Sequence, residues 1–362
     1  MRKTFSTVLI FVMLGLLLLC FSGCKRSSSR MKKFSIKSIT RENVHGVIAV
    51  DDENVWITGN YGTIYHSYDG GVTWTKQETG VEKGILVDGI FLDKHVGWVV
   101  GLFGTILYTN NGGETWTKQE THTSRHLFGI YFTDEKHGWA VGEWGTVINT
   151  DDGGVTWKKQ REEIDRTFNN ITFADNQTGW IVGEIGVILH TTDGGKNWVK
   201  QLPKVFERES FEEELENPPP SLFGVVFKNK NQGWACGIDG IMLYTGDGGK
   251  LWDLVPTGTD LTLYTVFLKG NKGWAVGDRG AYLTSVDSGM TWEVQDEVIK
   301  SKQPFRDVYF SSPEIGWVVG AAGTVVKTID GGKTWEFLSG LSYAMEFFQM
   351  PEALEFKGMV TE

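Results

Sequence analysis

Seven side chains able to act as a catalytic acid or as a turn brace stand at one place in a repeated phrase: Asp69, Asn111, Asp152, Asp193, Asp247, Asp287 and Asp330. Carboxylates could drive glycoside hydrolysis, which needs two acids across the scissile bond or an equivalent nucleophile. Their setting argues otherwise. Each lies in Ser/Thr-x-Asp-Gly-Gly or a close variant, and the phrase recurs seven times where one active site would suffice. Asp followed by two Gly suits a tight turn, the carboxylate accepting turn N–H groups while Gly supplies the left-handed backbone. These residues are therefore read as structural. The seven His show no metal-ligand spacing, and neither Gly-x-Ser-x-Gly nor Gly-x-x-x-x-Gly-Lys occurs. No catalytic constellation, metal or cofactor is expected.

A second recurring feature suits binding. Seven Gly-x-x-Gly steps enclose the pairs Asn60-Tyr61, Leu102-Phe103, Glu143-Trp144, Glu184-Ile185, Ile238-Asp239, Asp278-Arg279 and Ala321-Ala322. Tyr61, Phe103, Trp144 and Ile185 occupy matching positions in four consecutive units. Large apolar side chains on successive turn tips suggest an interaction patch. The alternative is that they pack beneath neighbouring loops.

Both features sit in one internal repeat. It runs Trp-x-x-Gly-x-x-Gly, a short apolar strand, then Ser/Thr-x-Asp-Gly-Gly-x-Thr-Trp. Repeats open at Trp56, Trp98, Trp139, Trp180, Trp234, Trp274 and Trp317, and each closes on a Trp 18 positions later. Fourteen of the 15 tryptophans are thereby placed, leaving Trp144. Another strand-like run precedes each opening Trp, as in Leu127–Phe132 and Phe305–Phe310. Each unit of about 40 residues then reads as four short antiparallel strands, the size of a propeller blade. The Gly-x-x-Gly step should be a two-residue hairpin turn with positive φ, and the closing Trp should cap the blade and pack on its neighbour. A lone blade cannot bury both faces, whereas a ring can. The expected fold is all-β, a seven-bladed β-propeller of four-stranded antiparallel blades over residues 34–340.

The repeat resembles the Asp-box, or BNR, motif over residues 46 to 338, and the units are similar to the photosystem II stability/assembly factor-like propellers, a family also found in bacteria that do not photosynthesise. Departures are Asn111 for Asp, Asn197 and Leu251 for Thr, and Ser288 for the first Gly. The resemblance implies a non-catalytic, partner-docking propeller with arginines on one face. The residues that carry this over are Arg125 and Arg166, each fourteen positions before its opening Trp, and Arg306 at the start of the last unit. Sialidases also carry Asp-boxes, but no Phe/Tyr-Arg-Ile-Pro segment occurs near the start, no arginine triad is evident, and those propellers have six blades.

The chain ends carry separate signals. Arg2 and Lys3, the apolar run Val8 to Phe21 and the small residues Ser22 and Gly23 describe a secretory signal over 1–24. Cys24 after Ser22-Gly23 resembles the lipobox of bacterial lipoproteins, with Phe21 where Leu, Val or Ile is usual, and this implies lipid on Cys24. The apolar run is short for a retained transmembrane helix, the rival reading. Residues 25–33 read as a flexible tether. Of the three Cys, only Cys236 would remain unmodified, so no disulfide framework is expected. Removing residues 1–24 takes the formal charge from −10 to −12, which disfavours nucleic acid.

Two segments interrupt the pattern. Trp180 and Trp234 lie 54 positions apart against 41 for Trp139 and Trp180, so an insert of about thirteen residues falls within 203–221. Its six Glu (Glu207, Glu209, Glu212, Glu213, Glu214 and Glu216) and Pro218-Pro219-Pro220 suggest a mobile acidic loop over the binding face, either gating a partner or merely tolerated. Phe34–Ile39 and Trp335–Leu338 compete for the outer strand of blade 7, and the N-terminal segment is expected there. The tail 341–362 matches no repeat.

The expected function is a monomeric, membrane-anchored lipoprotein on the extracytoplasmic side of the cell envelope that docks a protein partner, itself membrane-associated, during assembly or maintenance of an envelope complex. The alternative is a glycan-binding or glycan-cleaving propeller, whose acids would be sought among Glu143, Glu184 and Asp278.

Overall fold

The computed structural model describes residues 39–339, apart from 162–163, 209, 211 and 213–215. The expected signal, tether, lipid-bearing Cys24 and C-terminal tail lie outside the described residues. The described residues form seven four-stranded antiparallel sheets, each with its strands paired in chain order. Blade 1 comprises Val44–Ala49, Val55–Gly59, Ile64–Ser67 and Thr75–Gln77, and blade 7 comprises Phe305–Phe310, Gly316–Gly320, Val325–Thr328 and Glu336–Ser339. The chain is a seven-bladed β-propeller.

The second strand explains why a blade needs its neighbours. In the sequences Gly97–Gly101 (GWVVG) and Gly179–Gly183 (GWIVG) every residue is buried. A strand apolar on both faces must be covered on both, and the ring of blades covers it. The opening Trp makes that contact. Trp98 stacks on Phe132 of the next blade at 3.7 Å, and Trp180 stacks on Phe227 at 3.5 Å. Each indole also donates to a glycine carbonyl in the next blade's Asp turn, from Trp56 to Gly112 (3.0 Å) round to Trp317 and Gly70 of blade 1 (3.3 Å). Blade 6 departs from the pattern where Ser288 replaces the first Gly, and Trp234 donates there to Gly289 instead.

Blade 7 corrects one expectation. Its outer strand is Glu336–Ser339, paired on Val325–Thr328, so all four strands come from consecutive chain. Residues 34–38 lie outside the described residues. Trp335, partly buried and edge-on to Tyr282 and Phe310, anchors the start of this strand beside its own hairpin partner. Ile39 instead donates its N–H to Ser339 Oγ, bracing that strand without replacing it. Ring closure uses the contacts that join other blades, together with the Val47 N–H to Asp307 bond (2.9 Å) and the Ser311 hydroxyl to Asp52.

The insert is also less free than its composition suggests. Lys204–Phe206 forms one 3-10 turn, Phe206 is buried with Trp180, Val182 and Leu222, and Pro219 packs with Phe206 on Gly186. Two apolar anchors hold down the flanks of the acidic run. Glu207, Glu212 and Glu216 point to solvent.

Candidate functional site

Each Gly-x-x-Gly turn is tied to the chain that feeds its own blade. The first residue of the variable pair donates its N–H to the residue just before the first strand: Asn60 to Asn43, Leu102 to Ile85, Glu143 to His126, Glu184 to Thr167, Ile238 to Ser221, Asp278 to Thr262 and Ala321 to Pro304. Turns and incoming loops therefore share one face, called here the tip face. The Asp turns bond to the first hairpins, as Gly153 to Lys136, and form the opposite face.

The turn lies one residue further along than the spacing suggests. Thr63 donates to Asn60 and Thr146 donates to Glu143, so the central residues are the second of the variable pair and the following Gly. Both have positive φ: Tyr61 56° and Gly62 62°, Phe103 60°, Trp144 55°, Ile185 52°. This is the type I′ geometry, which strongly prefers Asn-Gly. A Cβ on Gly104 would collide with the Thr123 carbonyl, so the second position is closed to anything larger. The first position has no such excuse. Bulky or β-branched residues at φ > 0 are outliers costing on the order of 1–3 kcal/mol each. Nor are these side chains tucked under loops, since Tyr61 is 63% exposed, Phe103 59% and Trp144 45%. Ile185 is half-buried, its N–H held by Ser221 Oγ.

The three arginines do not form one cluster. Arg125 lies over the Trp144 ring at 5.0 Å, a cation–π pair on the tip itself. Arg166 accepts the Gly145 N–H with its carbonyl and turns its guanidinium onto the Asp165 carbonyl. Arg306 lies on blade 7 in the central channel, over Tyr264 at 4.6 Å.

A device not visible in the repeat places Arg306 there. In every blade the pairing of first and second strands skips one residue, a β-bulge. The skipped residues are His45, Val87, Phe128, Asn169, Phe223, Tyr264 and Arg306, and all seven line a central cavity of about 310 Å³. Bulges re-aim side chains, and here they aim one per blade into the channel. The available signal was the variability of the second residue in each first-strand run. An aromatic path links the faces of this site: Phe103 meets His126 edge-on at 4.9 Å, and His126 meets Phe128 at 6.4 Å.

Two carboxyls stand one residue deeper. Asp88 accepts the N–H of Ile130 in blade 3, and Asp307 that of Val47 in blade 1, so each staples adjacent blades. Burial raises Asp88 to about 6 and Asp307 to about 7, the Asp88 charge adding to the latter. Both residues are only half-buried, which softens that push. Burial also holds His45 below its usual range against its bond to Asn60, with the Arg306 charge adding to the effect. At neutral pH Asp88 is therefore largely ionised and Asp307 about half so, and their charge offsets that of Arg306.

On the opposite face the Asp turns brace themselves. Asp152 accepts the Thr156 hydroxyl (2.6 Å), the Thr156 N–H (2.8 Å) and the Thr150 hydroxyl (2.7 Å), bonds that bring it down to about 2. Asp69, Asp287 and Asp330 repeat the arrangement, and Asn111 reproduces it by donating to Thr115. Asp193 and Asp247 are likewise held low, first by the N–H of Asn197 and of Leu251. Glu143 and Glu184 turn back to accept the N–H of His126 and of Thr167 in their own blades, and Asp278 neighbours Arg279. Burial pushes the Cys236 thiol up to about 12. Among the described residues no group of three or more His, Cys, Asp or Glu could hold a metal ion.

Residues 116–204, 204–304 and 292–359 match the family described as photosynthesis system II assembly factor YCF48. Among solved structures, "YCF48 bound to D1 peptide" is 20% identical, with 81% of this chain and 94% of that chain covered at TM-score 0.66. YCF48 from Cyanidioschyzon merolae is 18% identical, with 80% and 96% covered at TM-score 0.65. The GH74 xyloglucanase from Xanthomonas campestris is 11% identical, with 83% and 55% covered at TM-score 0.64. Identities this low establish the shared propeller fold alone. Comparison with curated proteins gave no match.

Proposed function

This chain belongs to the photosynthesis system II assembly factor YCF48 family, and from that premise we propose that it is a non-catalytic, lipid-anchored scaffold that docks a segment of a protein partner on its tip face. The carrying observation is the arc of exposed aromatics, Tyr61, Phe103 and Trp144, held at backbone cost where Asn would be relaxed. Behind it the channel mouth offers Phe128, Phe223 and Tyr264, with Arg306 over Tyr264, which suits a segment carrying apolar side chains. Arg125 and Ile185 extend the surface, and Arg166 lies at its edge. A solved relative binds a peptide, which supports the same mode of use here. Export, lipid on Cys24, a monomeric state and a role in assembling or maintaining an envelope complex belong to this reading.

Glycan binding would use the same aromatics. It has less support, because Glu143 and Glu184, two acids of the tip turns, are engaged by backbone N–H groups.

The test is affinity capture from detergent-solubilised membranes by the native protein and by a folded Tyr61→Ser, Phe103→Ser, Trp144→Ser variant. Recovery of one membrane protein by the native form, lost with the variant, is expected. Equal recovery by both would remove the tips from the docking surface.

A further inference from the structure

We propose that His126 is the positioning residue of the docking surface, tying the tips of blades 2 and 3 together only while its ring is neutral. The inference rests on the docking reading and deepens it, by making docking depend on a proton.

Phe103 stands at positive φ on the blade 2 tip, and its N–H donates across the blade boundary to His126 Nδ1, 3.1 Å away. The imidazole also meets the Phe103 ring edge-on at 4.9 Å. His126 is bound to the blade 3 tip as well. Its N–H donates to Glu143 Oε2 (3.1 Å), and its carbonyl accepts the Glu143 N–H (2.9 Å). Trp144 follows Glu143 directly, so one residue joins two of the exposed aromatic tips.

Two other blade boundaries use the same joint. Ser221 Oγ accepts the Ile185 N–H (3.2 Å), and Asn43 Oδ1 accepts the Ala322 N–H (3.0 Å). Each of the three acceptors is the residue just before the next blade's first strand. The joint therefore asks for a side-chain acceptor, and an imidazole is not required to make it. Of the three, only His126 can lose its accepting lone pair by taking up a proton near neutral pH.

To accept the Phe103 N–H, Nδ1 must be bare and the ring proton must lie on Nε2. In the cation both ring nitrogens are donors, so an Nδ1–H would face the Phe103 N–H, donor against donor. Glu143 Oε2, 3.8 Å from Nδ1, is then the better partner. Protonation draws the ring from Phe103 toward Glu143 and releases the blade 2 tip, which a partner segment must then order on docking. Around the ring stand Glu143, Arg125 with its guanidinium over Trp144, and, past Phe128, the channel's Asp88, Asp307 and Arg306. Blade 2 sets Phe103 against it. Asp88 and Asp307 change charge in the same pH range, so variants of His126 itself must separate the effects.

The test places a photo-crosslinking residue at Tyr61 in the full chain and reads the crosslinking yield in native membranes at about pH 7.5 and 5.5. Loss of the one hydrogen bond at Phe103 should lower the native yield about fivefold at the lower pH. His126→Phe keeps a ring without the acceptor and should be low at both. His126→Asn supplies the acceptor found at the blade 7 tip, and should recover the yield lost in His126→Phe and hold it on acidification. Urea midpoints establish that each variant is folded. In the native chain labelled with ¹⁵N-histidine, the His126 signal, assigned by its absence from His126→Asn, should show Nδ1 without a proton at the higher pH. A proton on that nitrogen overturns the inference. An equal acid loss in the native chain and His126→Asn overturns it too, as does a folded His126→Asn no better than His126→Phe. No crosslink from position 61 at either pH overturns the docking reading along with it.

Discussion

At the scale of single residues, the turn tips set local strain against use. Tyr61 occupies the first central position of a type I′ turn, with Gly62 after it, so Tyr61→Asn restores the favoured Asn-Gly pair. The substitution is expected to stabilise the fold by about 1 kcal/mol, read as a higher urea midpoint, while weakening partner capture. Two sets of carboxyls give opposite pH responses. Asp69, Asp152, Asp287 and Asp330 lie near 2 in the fold against an ordinary 3.8, so their contribution is present above about pH 4 and lost as pH falls through 2. Asp307, raised to about 7, retains a proton that the unfolded chain has released, so stability falls as pH rises between about 4 and 7. Across that window the loss of urea midpoint with rising pH should be smaller for Asp307→Asn than for the native protein, whatever slope the other titrating groups set. Equal pH slopes for the two would contradict the assignment.

At the scale of elements, the repeat made the blades legible because the same physical demand recurs. The second strand of each blade is covered on both faces, and its Trp stacks on the next blade's first strand and hydrogen-bonds to its Asp turn. Trp98→Ala removes the stack on Phe132 and the bond to Gly153 together, and is expected to cost on the order of 3–5 kcal/mol in denaturant unfolding. What stayed hidden was register. A β-bulge leaves no mark in composition, so Phe128, Phe223 and Tyr264 read as ordinary strand residues although they line the channel. The same limit shifted the turn by one residue, since Gly-x-x-Gly fits either frame and only the Thr63 to Asn60 bond decides. Arg306 was legible as a candidate by position, yet its separation from Arg125 and Arg166 depends on the bulge.

At the scale of the whole molecule, seven units in sequence implied the ring, but the manner of closure did not follow. Phe34–Ile39 and Trp335–Leu338 are equally strand-like, and the choice is made by proximity: Trp335 follows its hairpin directly and packs edge-on against Phe310. A chain beginning at Ile39 should therefore unfold at the same denaturant midpoint as the full chain. A large loss would mean that the N-terminal segment latches the ring. The two faces of that ring differ in kind, one bearing strained aromatics and a channel with Arg306, the other a row of self-satisfied aspartates. The most direct test of the docking claim places a photo-crosslinking residue at Phe103 on the tip face or at Val155 on the opposite face, both well exposed. In native membranes, position 103 is predicted to crosslink one protein partner and position 155 to crosslink none. Crosslinking from 155 alone, or equally from both, would contradict the tip face as the docking surface.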